Sequence, residues 1–200
     1  MVANSNFTKN LAVSLGVEEK RLIVINPGVD PVEEISKDDL KQAEEMLKGK
    51  KQRLITVSRF DKRKNHEKVI MAIRNLKEKY PDITYTCIGY GDEEENLKKL
   101  VIELKLDKYV NFLSDISNEL KNALIVKSNI FIMPSIIHKT SVEGFGISST
   151  GSTPGFITIN LFSSTPRLTA KFFVKFEFAT TWSTLFKTSK TFLFNLDPLG

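Results

Sequence analysis

The sequence is short of the residues on which several kinds of protein depend. A single cysteine, Cys87, excludes a disulfide framework and favours a reducing, cytoplasmic compartment. With only two histidines beside it, His66 and His138, the chain has no obvious ligand set for zinc. No apolar run approaches the ~18–20 residues of a membrane-crossing helix, and no basic-then-apolar leader stands at the front. The glycine-serine-glycine elbow that presents a nucleophilic serine is missing as well. Acidic residues all but vanish towards the end, where only Glu177 and Asp197 fall after residue 148.

What is present divides at that point. Residues 1–148 carry 24 basic and 22 acidic side chains, which is near balance. Residues 149–200 hold five basic side chains, nine of the 14 phenylalanines and sixteen serines and threonines, a different composition altogether. The net charge of +5 is therefore spread thinly, with no basic stripe interleaved with aromatics, and nucleic acid is not an expected partner.

Up to residue 133, short apolar runs alternate with amphipathic segments. Strands are expected at 22–25, 54–57, Ile83–Ile88, Val110–Leu113 and Ile130–Met133, each rich in Val, Ile, Leu, Phe or Thr. Helical spacing links Val69, Ile70, Ile73 and Leu76, and likewise Leu97, Leu100, Val101 and Leu104. Leu120, Ala123 and Leu124 follow Ser117, a suitable N-cap, and Leu40, Ala43, Met46 and Leu47 follow 36–39. A first helix over 7–15 ends at Gly16, and Pro81 closes the helix that reaches Tyr80. Continuous apolar strands alternating with helices predict an α/β fold, a Rossmann-like parallel sheet with helices on both faces. Another strand fits 156–162, within an otherwise irregular C-terminal tail, while Phe172, Phe173, Phe176 and Phe178 have the pattern of strands or of an aggregating segment.

Open parallel sheets bind ligands beyond the carboxyl ends of their strands. Three loops lie on that edge. The loop at 58–65 holds Arg59, Lys62, Arg63 and Lys64 just before a helix start, where an anion is favoured and Arg grips phosphate in two places. It reads as a diphosphate clamp of Arg59 and Lys64, or as a solvated basic loop. Gly89-Tyr90-Gly91-Asp92 begins like a dinucleotide fingerprint but lacks the third glycine, so a tight turn is the competing reading. Glu143-Gly144-Phe145-Gly146 sets a carboxylate beside two glycines, where backbone approaches a ligand closely, or else forms a turn and a helix cap. His66 belongs to a first helical turn and reads as solvated; His138 belongs to the loop before Glu143, either facing the same cleft or solvated. Cys87, inside a strand, is expected to be an inert core residue.

In order and spacing these segments resemble the C-terminal, donor-binding half of a family-4 (group 1) glycosyltransferase, a retaining enzyme of the GT-B architecture. Val2-Ala3-Asn4-Ser5-Asn6-Phe7-Thr8-Lys9 is similar to the stretch joining its two domains. Asn26-Pro27-Gly28-Val29-Asp30 resembles "IPNGVD" with Asn and Pro exchanged, and 57–65 resembles the "GRL…KG/N" loop. Ile88-Gly89-Tyr90-Gly91-Asp92 resembles "VGDGPE", and Met133-Pro134-Ser135 with Glu143-Gly144-Phe145-Gly146 resembles "PS…EGFG".

The resemblance implies a sugar transfer from a nucleotide-sugar to an acceptor with retained configuration and without a metal or other cofactor. It implies that Arg59 and Lys64 neutralise the donor diphosphate and that Glu143 is the catalytic contact to the transferred sugar. Gly89 and Gly91 would shape the pocket near the base, and Gly144, Phe145 and Gly146 would present backbone amides to sugar or phosphate. Family members have a second glutamate eight residues after the first, where this chain has Gly151. An acceptor-binding N-terminal domain, a partner the resemblance also implies, has no counterpart in 200 residues. The expectation is thus a partial nucleotide-sugar-binding domain at 1–148 and an atypical tail at 149–200, read from a shifted frame or joined from elsewhere. Such a fragment is inactive alone, and the full enzyme would have the option of peripheral membrane association. The alternatives are a non-catalytic nucleotide- or anion-binding module and a GT-B sugar-nucleotide epimerase.

Overall fold

A computed structural model of the chain describes residues 1–28, 34–136 and 157–160. Its centre is a five-stranded, wholly parallel sheet of β3 (Gln52–Val57), β4 (Ile83–Ile88), β5 (Val110–Leu113), β6 (Ile130–Met133) and β7 (Ile157–Asn160), in the order β5-β4-β3-β6-β7. A separate two-stranded parallel pair joins β1 (Val2–Ala3) to β2 (Ile23–Val24) beside α1 (Asn6–Ser14).

Alternation along the strands sends side chains to two cores. Leu54, Tyr85, Cys87 and Ile132 meet Val69, Ile70 and Ile73 of α3 (His66–Leu76) and Leu97 and Val101 of α4 (Glu94–Glu103). On the opposite face Ile55, Ile88, Phe131 and Met133 meet Ala43 and Leu47 around α2 (Lys37–Met46) and Leu120, Ala123 and Leu124 of α5 (Asn118–Lys127). The strands are mainly apolar on both sides because both faces are covered, which is the expected α/β layering.

Strands β4, β5 and β6 have the expected limits. Ser117 caps α5, its hydroxyl accepting from the Leu120 amide at 3.1 Å, and Gly16 follows α1 in the left-handed region at φ +94°. The expected strand at 156–162 is present as β7, so the sheet takes its fifth strand from beyond residue 148. Two limits differ. The strand expected at 22–25 is only two residues long, because its partner β1 offers only Val2 and Ala3 to pair with. The helix expected to reach Tyr80 stops at Leu76; a turn follows, in which the Tyr80 amide donates to the Leu76 carbonyl at 2.8 Å and leads directly into β4.

Candidate functional site

The strand order reverses between β3 and β6. The chain moves outward from β3 to β4 and β5, crosses on the other face through α5, and returns to β6 on β3's free side. At such a switch the loops diverge to opposite faces and leave a crevice at the carboxyl edge. Of the three loops singled out by sequence, those at 58–65 and 89–92 lie on this edge, and so do residues 134–136, the described start of the segment that leads to the third; 58–65 and 134–136 flank the crevice.

These loops are tied together by backbone. The Ser58 amide donates to Ile88, the Phe60 amide to Tyr90 at 2.8 Å, and the Glu93 amide back to the Phe60 carbonyl at 3.0 Å. The β3 loop thus prolongs the ladder with β4 beyond the strands themselves. Across the crevice the Ile136 amide donates to the Arg63 carbonyl at 2.8 Å, and Asn65 Nδ2 donates to the Pro134 carbonyl at 3.1 Å. Phe60 is fully buried, edge-on to His66 (5.1 Å) and to Phe112 (5.8 Å), and nails the loop to the core.

Within that frame Lys62–Lys64 form one 3-10 turn, capped by Asp61, whose carboxylate accepts from the Lys64 amide at 3.0 Å. Arg59 and Lys62 are exposed, while Arg63 and Lys64 are half-buried. Asp61 also lies 4.0 Å from Arg63, so the loop's charge is partly balanced from within. Asn65 closes the turn in the left-handed region at φ 55° and hands the chain to α3. Three cations are therefore held on a short, internally braced turn directly before a helix N-terminus, with Arg59 earlier in the same loop, an arrangement that favours a bound anion.

The glycines of the β4 loop have a packing role, in keeping with the tight-turn reading. A Cβ on Gly91 would stand 2.8 Å from the Phe60 nitrogen and carbonyl carbon, and one on Gly89 3.0 Å from the Ser58 carbonyl carbon. Both are required for close backbone approach between the β3 and β4 loops, whatever they do towards a ligand. Tyr90 between them is 70% exposed.

His66 is the residue that sequence reading weighed least well. It is not solvated but 2% exposed, bonded to Ser58 and Tyr85 beneath the loop. Burial, with Lys64 adding to it, lowers its pKa to about 4 against the pull of the Arg59 backbone and Asp61. The one available signal was Thr56 and Tyr85, polar groups at core-facing positions of apolar strands, which need a partner. Cys87 is buried, and burial raises its thiol pKa, in keeping with an inert core residue. Glu143, Gly144, Phe145, Gly146, His138 and Gly151 lie outside the described residues. A separate groove of about 370 Å³, bounded by Met46, Leu47, Thr86, Val110, Phe112 and Leu124 among others, lies on the α2/α5 side and shares no residue with the three loops. Among the described residues no helix is long and apolar enough to cross a membrane.

A Rossmann-like parallel sheet with charged loops at its switch point defines an α/β domain of the GT-B type. Residues 37–150 match the family of glycosyl transferases group 1, and the chain belongs to that family. It is 26% identical over 140 residues to the amylovoran biosynthesis glycosyltransferase AmsK of Erwinia amylovora, an alignment covering 70% of this chain and 32% of that protein. Among solved structures, Anabaena Alr3699/HepE in complex with UDP has a TM-score of 0.61 at 20% identity, covering 76% of this chain and 41% of its own. A glycosyltransferase from Rickettsia africae has a TM-score of 0.55 at 25% identity, covering 67% and 37% respectively. The chain thus spans about a third of the length of its Erwinia relative and two fifths of the Anabaena one.

Proposed function

We propose that this chain is the donor-side part of a retaining group 1 glycosyltransferase and binds the diphosphate of a nucleotide-sugar at the 58–65 loop. The observation that carries the reading is the placement of Lys62, Arg63 and Lys64 on a braced turn, with Arg59 earlier in the same loop, at the switch point of the sheet. Cleaving the sugar–phosphate bond leaves negative charge on the nucleoside diphosphate. Arg59 and Lys64, fixed before that charge develops, would stabilise it more than the neutral surroundings of bulk water can. Glu143 would contact the transferred sugar, and the Gly144, Phe145 and Gly146 amides would meet sugar or phosphate. The Anabaena neighbour has also been solved with UDP-glucose, which supports a uridine nucleotide as the first donor to try.

Acceptor recognition would lie in a further domain, so the isolated chain is expected to bind donor without turning it over. The chemistry assigned to Arg59 and Lys64 needs no metal, and binding should survive chelation by EDTA. The test is calorimetric titration of the chain with UDP, then of Arg59→Ala and Lys64→Ala. Each variant should lose about tenfold to a hundredfold in affinity, the scale of one charge-assisted hydrogen bond. Unchanged affinity in both would remove the clamp. Sugar transfer by the chain alone would overturn its reading as a donor-side part, and binding that persists in a full-length enzyme without transfer would favour a non-catalytic nucleotide-binding module.

A further inference from the structure

Beneath the basic loop runs a buried chain of side-chain hydrogen bonds for which the clamp has no evident need. Ser58 Oγ lies 3.0 Å from His66 Nε2, His66 Nδ1 lies 2.9 Å from the Tyr85 hydroxyl, and that hydroxyl donates to Thr56 Oγ1 at 2.9 Å. Thr56 Oγ1 in turn donates to the Ile132 carbonyl at 2.8 Å. Thr56, His66 and Tyr85 are all 2% exposed or less.

The proton positions follow from the far end. A carbonyl only accepts, so the Thr56 hydroxyl proton is committed to Ile132. Tyr85 spends its own proton on Thr56, which leaves its oxygen only lone pairs to offer His66. Nδ1 must then carry the imidazole proton, and Nε2 presents a lone pair that accepts from Ser58. The bond to Nε2, at 3.0 Å, is the shorter of the two open to Ser58, since the Arg59 carbonyl lies 3.4 Å away. The chain starts at Ser58, the root of the basic loop, and ends on β6, the other wall of the crevice.

We propose that His66 is a positioning residue for this loop: as a neutral, Nδ1-protonated imidazole it fixes Ser58, and with it the basic turn, relative to the ends of β3, β4 and β6. The functional weight of that positioning rests on reading the loop as the diphosphate clamp. The surroundings maintain the neutral form. Lys64 disfavours a second proton, and Asp61 and the Arg59 backbone favour one but do not overcome the burial. From β4, Tyr85 is kept protonated by its own burial beside Cys87, and the Phe60 ring meets the imidazole edge-on.

The experiment uses the full chain labelled with ¹⁵N-histidine, with Ser58→Ala and His66→Phe as variants. His66→Phe keeps an aromatic ring against Phe60 and removes both hydrogen bonds. Ser58→Ala leaves the buried part intact, so it reads the loop even if His66→Phe folds poorly. Nitrogen shifts should show His66 protonated at Nδ1 and unprotonated at Nε2 down to about pH 5. Exchange of the Phe60 and Lys64 amides should quicken about tenfold in the variants relative to the β4 amides, and UDP affinity should fall about tenfold in parallel. An Nε2–H tautomer, ordinary titration near 6.5, or unchanged loop exchange in both variants would overturn the proposal. If tautomer and exchange behave as expected but the parent chain binds no UDP, the positioning stands and the donor reading falls.

Discussion

Gly91 lies so close to Phe60 that a Cβ on it would stand 2.8 Å from both the Phe60 nitrogen and its carbonyl carbon. These are backbone atoms held by the Phe60–Tyr90 and Glu93–Phe60 hydrogen bonds, so they cannot swing away as a flexible side chain would. Gly91→Ala should therefore destabilise the chain by about 1–3 kcal/mol, the usual cost of overpacking. Gly28, with nothing among the described residues within 4 Å of its Cβ position, is the control, and Gly28→Ala should change stability by no more than about 0.5 kcal/mol. Urea midpoints of the two variants make the comparison, and equal shifts would mean that the contact at Gly91 is not tight.

Asn65 does two things at once, and two substitutions separate them. Its φ of 55° lies in the left-handed region, and its side chain donates to the Pro134 carbonyl across the crevice. Asn65→Gly keeps the backbone conformation and deletes the bond, while Asn65→Ala loses both. Glycine should cost about 1 kcal/mol and alanine roughly 1 kcal/mol more. The order of thermal midpoints, parent above Gly above Ala, checks this. Alanine at or above glycine would show that backbone strain is not borne at this position.

The legible part of this molecule is the part written locally. β4, β5 and β6 have their expected limits because each is a short run dominated by β-branched, aromatic and aliphatic residues, and Ser117 announced α5 by its own side chain. The carboxyl-edge loops could be named in advance because alternating strands and helices already imply a parallel sheet. What joins those loops could not. Asn65 and Pro134 are 69 positions apart, and Tyr85 and Thr56 are 29 apart. Their bonds depend on β3 lying between β4 and β6, an order that periodicity does not encode. The need for glycine at 89 and 91 was legible only as a tight turn, since the Ser58 and Phe60 backbone that they pack against comes from another loop.

Glu44 is the hub of an ion cluster at the opposite, amino edge of β3. Its carboxylate takes Arg53 in two places, Nη1 at 2.9 Å and Nη2 at 2.5 Å, and lies 3.6 Å from Lys127. The Arg53 hydrogen bond lowers the Glu44 pKa and raises that of Arg53. Arg53 also donates to the Lys50 and Lys127 carbonyls, so α2, β3 and α5 meet on one guanidinium. Glu44 is nearly half exposed, so water screens much of the pairing, and Glu44→Gln should cost only about 1 kcal/mol. The loss should shrink in high salt, which a salt series of urea midpoints reads. A loss that is unchanged by salt would assign the effect to shape rather than charge.

Acid should expose His66 before the carboxylates. Its folded pKa of about 4 lies below the ordinary 6.5, so as pH falls the unfolded chain takes up the proton first. Where the unfolded state binds more protons, stability rises with pH. The contribution is therefore whole above about pH 7, declines between 6.5 and 4, and levels off below that, a total of roughly 3 kcal/mol. Glu44 acts lower still: its folded pKa is depressed, so its share is lost only as pH falls through the region below 4.5. Urea midpoints at pH 7, 6 and 5 should accordingly slope downward in the parent chain. In His66→Phe the slope over that interval should flatten, because no buried imidazole is left to resist its proton. A parallel slope in the variant would place the acid sensitivity on some other group.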